Sequence, residues 1–154
     1  MKPLAILRPV ALAPLILLCS THPVATDARL LPFEPVDDVL PARVTMPIDH
    51  VFTSAREYRL LFGHDAPGVD WSHEWVALYS AGLMEGGHHI ASILQIRRVD
   101  DGGSLDVVTL LQSDLCQVVR EPERPMALAK FPIPADELGL VQFVHVYMMV
   151  ACGP

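Results

Sequence analysis

The sequence predicts a mainly β (α+β) protein, an antiparallel sheet or small β-sandwich with one short N-terminal helix. Three observations predict this class. Apolar segments of strand length recur after residue 73, turn-forming Gly, Pro and Asp residues separate them, and only one segment carries helix start and stop signals. Successive strands separated by turns are typical of sheets and sandwiches, whereas parallel α/β folds alternate strands with helices.

Residues 1–28 have the form of a secretory signal peptide. Lys2 and Arg8 precede an apolar run, Val10 to Cys19, that ends in small and polar residues. The run is shorter than the roughly 20 apolar residues that a membrane span needs, and no later stretch offers one. A cut after Ala28 predicts an exported protein, located in the periplasm or cell envelope or secreted. The alternative is a lipid anchor at Cys19, as in bacterial lipoproteins.

Composition limits the partners of the exported part. Without the leader the chain keeps 9 basic and 17 acidic residues, a net charge of −8. An acidic domain without a basic patch is not expected to bind nucleic acid or anionic lipid. The remaining length supports one domain with a hydrophobic core and leaves no room for a second.

Residues 29–47 are predicted to be a Pro-rich arm that lies outside regular structure, and residues 48–154 a single β-rich domain. The arm contains four prolines and the pair Asp37-Asp38, a composition typical of tethers and surface segments. A short strand within it is predicted over Arg43 to Met46.

The one predicted helix begins at Ser54. Glu57 follows three positions later, which is the spacing of a capping box, and Gly63 provides the stop signal. The apolar residues 60–62 between them are expected to give the helix its buried face.

Five strands are predicted after the helix. Glu74 to Gly82 is apolar on both alternating sets of side chains, which indicates a central strand covered on both faces. Asp100-Asp101-Gly102-Gly103 separates the next two strands, and this turn composition predicts a hairpin. The other four predicted strands are Ile90 to Val99, Leu105 to Gln112, Met126 to Phe131 and Val141 to Val150.

Cys116 and Cys152 are the two cysteines that remain if Cys19 is removed with the leader or lipidated. Because the compartments that an exported protein reaches favour the oxidation of thiols, the two cysteines are predicted to form a disulfide. The functional alternative is Cys116 as a nucleophile that His145 activates.

The sequence contains no signature of a catalytic or phosphate-binding motif, so no catalytic residue, metal or cofactor is predicted. The histidines supply one alternative hypothesis, a metal-dependent hydrolase. Its residues would be His64, His73, His88, His89 and Glu85, and it requires that these side chains converge to ligand distance.

Three segments together resemble a known family. Trp75 to Gly82, followed by Gly86-Gly87-His88-His89-Ile90 and a later segment, Pro125 to Pro132, is similar to the C-terminal domain of the PrcB family, exported accessory subunits of bacterial protease complexes. The resemblance covers about residues 69–147. The chain departs from the family pattern where Glu85 replaces a Thr and His88 an aromatic residue.

The resemblance implies an exported, noncatalytic domain that binds or stabilises another protein, such as a protease. A glycine-containing loop between strands is also similar to the loops of chagasin-like protease inhibitors, which makes inhibition an alternative. On both hypotheses the partner-binding loop is formed by Glu85, Gly86, Gly87, His88 and His89. Two adjacent glycines widen the accessible backbone conformations and leave no side chain to obstruct a close approach.

Overall fold

A computed structural model describes residues 28–99, 103–117, 119–134 and 139–150, and it confirms the fold class. The predicted leader, apart from Ala28, lies outside these residues. The elements in chain order are β1 (Ala28–Leu31), β2 (Glu34–Pro35), β3 (Ile48–Phe52), α1 (Ala55–Phe62), β4 (Glu74–Ser80), β5 (His88–Val99), β6 (Ser104–Asp114), β7 (Met126–Pro132) and β8 (Val141–Val150).

The strands form two four-stranded sheets. The first sheet has the order β1-β5-β6-β8 and the second sheet the order β2-β7-β4-β3. Every pairing is antiparallel except that of β6 with β8, which is parallel. A parallel pair is possible here because β7 belongs to the other sheet, so the chain crosses over and returns to β6 in the same direction.

The core has two parts, one on each face of the second sheet. Between the sheets, Ile96 and Val107 from the first sheet pack with Ala77 and Phe131 from the second. On its other face, the second sheet carries Val76, Leu78 and Leu128 against helix α1 and part of the N-terminal arm. The second sheet is therefore the middle layer of three, as the doubly apolar pattern of β4 predicted.

The helix follows its predicted signals. Ser54 is the N-cap and its hydroxyl accepts the Glu57 backbone N–H, while Gly63 ends the helix in the left-handed conformation at φ 88°. The Glu57 carboxylate in turn accepts the Thr53 backbone N–H, one residue before the cap. Tyr58 and Phe62 form the buried face, whereas Leu60 of the predicted apolar face is exposed.

The prediction of an irregular arm is wrong for its first part. Residues 28–31 pair with β5 and residues 34–35 pair with β7, so the arm adds an edge strand to each sheet. Val36 and Leu40 then lie in the core beside α1. Prolines are tolerated here because an edge strand needs hydrogen bonds on only one side. The strand predicted over Arg43 to Met46 is also wrong: Arg43 is in a turn, Met46 is in a bend, and β3 begins only at Ile48.

The β5–β6 hairpin is confirmed by its register, which runs from Val99 opposite Ser104 to His88 opposite Asp114. Residues 100–102 of its predicted turn lie outside the described part of the chain. One irregularity, between Ile93 and Gln95, interrupts the pairing. It is a β-bulge, which bends the strand locally.

Candidate functional site

The Gly86-Gly87 loop makes a sharp turn into β5. Both glycines have positive φ, 71° and 126°. A Cβ added at Gly87 would lie 2.9 Å from the Asp114 carbonyl oxygen, so no larger residue fits there without a shift of the backbone. Gly86 has open space around it. Glycine is therefore needed at the first position only for its positive φ. At the second it is needed both for its positive φ and for the close contact with the backbone.

Glu123 holds this loop from the far side. Met84 and Glu123 form an isolated antiparallel bridge, with N–H···O distances of 2.8 and 2.9 Å. The Glu123 carboxylate accepts the His88 Nδ1–H at 2.8 Å and the His89 backbone N–H at 2.6 Å. These hydrogen bonds, with the His88 side chain as the largest cause, lower the pKa of Glu123. No sequence pattern indicates this contact, because Glu123 lies in a charged segment that is 34 residues from His89.

The loop offers a partner only a small surface. His89 is buried, its Nδ1 lies 2.9 Å from Ser113 Oγ, and its Nε2 has no hydrogen-bond partner among the described residues. Gly87 is also buried and His88 is partly buried on Glu123, which leaves Glu85 and Gly86 fully at the surface. The five residues of the predicted loop are thus brought together, but most of them form the base of a turn.

The histidines of the metal hypothesis are separated. His64 Nε2 lies 3.4 Å from Asp38, His88 bonds Glu123, and His89 bonds Ser113. Within the described ranges no group of three or more His, Cys, Asp and Glu side chains could hold a metal ion. The geometry therefore gives no support to the hydrolase alternative.

Away from the Gly86-Gly87 loop, a series of side-chain hydrogen bonds joins the two sheets. No sequence pattern indicates it. His145 of β8 donates from Nε2 to the Asp49 carboxylate of β3 at 3.0 Å, and its Nδ1 lies 2.8 Å from the Thr109 hydroxyl of β6. Tyr79 packs on the imidazole, with ring centroids 5.1 Å apart. Burial, with smaller contributions from nearby Tyr147 and Asp49, raises the pKa of Tyr79 to about 12.

The hydrogen bonds from Thr109 to His145 to Asp49 follow the order of nucleophile, base and acid in a catalytic triad. The Thr109 hydroxyl, however, is buried. Thr109 has no exposed surface, so a substrate could not reach its Oγ1. Asp49 and His145 belong to the edge strands of different sheets. The arrangement therefore links the edge strands of the two sheets through side-chain hydrogen bonds.

Cys116 lies just after β6, beside the end of β8. Its Sγ is 4.0 Å from the Val150 carbonyl oxygen, two residues before Cys152. Cys152 is outside the described residues, so the disulfide stays a prediction. His145 is five residues before Val150 along an extended strand, a separation of about 16 Å. The structure therefore does not place His145 next to Cys116, as the nucleophile alternative would require.

Apolar side chains also lie on the outer face of the first sheet. On β6 the side chains of odd-numbered residues from 105 to 113 are buried, so the even-numbered ones point to the other face. No described element covers that face. Its apolar members, taken from all four strands, are Leu30, Ile90, Val108, Leu110, Val144, Val146, Met148 and Val150.

The chain matches no protein-family model, no curated protein and no solved structure. The resemblance to the PrcB family therefore stays a prediction. In the described part of the chain, no helix is long and apolar enough to cross a membrane.

Proposed function

We propose that this protein is an exported, noncatalytic domain that binds another protein through the outer face of its first sheet. The observation that carries the proposal is the contrast between the two sheets. Helix α1 and the arm cover the outer face of the second sheet, whereas the corresponding face of the first sheet presents apolar side chains to solvent. An exposed apolar patch that runs across several strands is typical of an interaction site.

Exposure along this face supports a surface suited to a protein. Leu30 is 61% exposed, Ile90 46% and Met148 44%, and they belong to three different strands. Where charged residues lie opposite each other on this face, they are paired: Arg97 Nη2 lies 3.0 Å from Asp106 Oδ2. An apolar centre with a paired charge beside it matches the composition of protein interfaces, whose centres are poor in free charges.

The resemblance to the PrcB family supports a protease complex as the setting of this binding. The exported location rests on the leader, and an accessory subunit would meet its protease in that compartment. Fold and family likeness alone do not assign a function, so the partner must be identified by experiment.

A capture experiment separates the two candidate surfaces. The purified protein, immobilised, is exposed to the exported fraction of the cells that make it, and bound proteins are identified by mass spectrometry. The double variant I90K/L110K adds charge to the outer face, whereas E85A/H88A removes the side chains at the loop tip. Because these residues lie at the surface or only partly buried, both variants should keep the circular dichroism spectrum of the parent.

We expect I90K/L110K to lose the captured protein and E85A/H88A to keep it. If E85A/H88A loses the protein and the outer-face variant retains it, the loop is the binding surface, as in the inhibitor hypothesis, and the proposal is wrong. Capture that neither variant changes would also contradict it.

A further inference from the structure

Strand β8 is an edge strand without the usual protection of an edge. It pairs with β6 on one side, and no described strand pairs with it on the other. Its ten residues include no Lys, Arg, Asp, Glu or Pro, and its pairing with β6 has no bulge. Natural proteins protect long edge strands with charges, prolines or bulges, because free N–H and C=O groups recruit another strand.

The side chains at the end of β8 are unusually exposed for apolar residues. Met149 is 75% exposed and Tyr147 67%. Both point to the face that, earlier along the strand, carries Phe143 and His145 into the space between the sheets. Tyr147 still lies near Tyr79 of β4, yet the second sheet leaves most of both side chains at the surface.

We propose that β8 pairs with β8 of a second copy of this chain, antiparallel and about a two-fold axis at Met148. In this register Tyr147 lies opposite Met149 of the second copy, and Met149 lies opposite the second copy's Tyr147. Each of the two most exposed side chains of the strand then covers the other, in a contact between sulfur and an aromatic ring. On the outer face, Val146 lies opposite the second copy's Val150.

The strand that pairs with β8 comes from a second copy of the chain, because the exposed end of β8 is complementary to itself. A two-fold interface brings the same patch together from both sides, so each residue needs a partner within its own patch. Tyr147 and Met149, which are symmetric about Met148, satisfy this condition. The chain has a net charge of −7, which opposes self-association in general, but β8 contains no carboxylate and thus contributes nothing to that repulsion.

Backbone pairing supplies much of this interface. Residues 146 to 150 of the two copies lie edge to edge, so their free N–H and C=O groups bond across it, as when a strand is added to an exposed sheet edge. Tyr147 and Met149 add the side-chain contact on the inward face. The two first sheets would join into one eight-stranded sheet, with their bare outer faces side by side.

Charge placement tests both the dimer and its register. In Y147K/M149K, each Lys faces a Lys of the second copy, whereas in Y147K/M149E each Lys faces a Glu. L60K places one Lys at a residue of α1 that is equally exposed, at 75%, and serves as the control for an added charge. The mass of the purified protein and of each variant is measured by sedimentation equilibrium over a range of concentrations.

The parent, L60K and Y147K/M149E should be dimers. Y147K/M149K should dissociate at least about 100-fold more readily, because two like-charged pairs meet at the centre. This variant also lowers the net negative charge, so general repulsion cannot explain its dissociation. A parent that stays monomeric at the highest concentration would overturn the dimer. A Y147K/M149E variant that dissociates like the Lys-Lys variant would overturn this register. Neither result bears on the capture experiment with I90K/L110K.

Discussion

The two sheets have the same number of strands, but their outward faces have different surroundings. The second sheet is covered on both faces, and Leu78 at its centre has no exposed surface. The first sheet is covered on one face only, and Leu30, on its bare face, is 61% exposed. Both sheets contain the same kinds of apolar residue, so composition does not distinguish them. The difference is that the outward apolar side chains of the second sheet pack within the fold, whereas those of the first sheet remain exposed.

The largest expected effect on stability comes from replacing a leucine by alanine on the outward face of each sheet. L78A removes a leucine side chain that packs under α1, and it should lower the free energy of unfolding by about 2–5 kcal/mol, because it leaves a cavity. L30A makes the same change on the bare face and should cost no more than about 0.5 kcal/mol. Urea unfolding of the two variants and the parent measures both values. Equal losses would mean that the bare face is covered within the folded chain.

A smaller effect on stability tests whether the Glu123 carboxylate stabilises the Gly86-Gly87 loop. The pKa of the Glu123 carboxyl is lowered in the folded protein, so its contribution to stability is present above the ordinary value of about 4.5 and is lost as the pH falls through the lowered value. E123Q cannot ionise. It should be less stable than the parent at neutral pH, and the difference should shrink as the pH falls below about 4.5.

Thermal unfolding of E123Q and the parent across this pH range provides the measurement. E85A, which removes a neighbouring exposed carboxylate, is the control for the loss of a negative charge near the loop. A constant difference between E123Q and the parent at all pH values would show that Glu123 does not hold the loop through its charge.

Much of the fold could be predicted from local patterns. The capping residues around Ser54 and the strand over residues 141–150 have the predicted character, because caps and apolar runs depend on neighbours in the chain. The β1 and β2 strands were missed because Pro32 follows the first and Pro35 lies in the second, and because their edge pairings need partners about 70 and 95 residues away. Parallel pairing of β6 and β8 has no local signal at all.

The candidate sites divide in the same way. Paired glycines predicted the bend at Gly86-Gly87, since backbone freedom belongs to the residues themselves. The Glu123 contact and the chain from Thr109 to Asp49 depend on side chains that only tertiary folding brings together. Exposure of an apolar face also depends on tertiary structure, because a strand pattern predicts that a face is apolar but does not predict what covers it.

The central claim is that a partner covers the bare face of the first sheet, and the oxidation of one methionine tests it most directly. Met148 lies on that face, whereas Met46 lies in the arm and is 72% exposed. Mild peroxide is applied to the protein alone and to the complex captured from the exported fraction, and sulfoxide at each methionine is measured by mass spectrometry. Met148 should oxidise several-fold more slowly in the complex while Met46 is unchanged. Equal oxidation of Met148 in the two samples would contradict the claim.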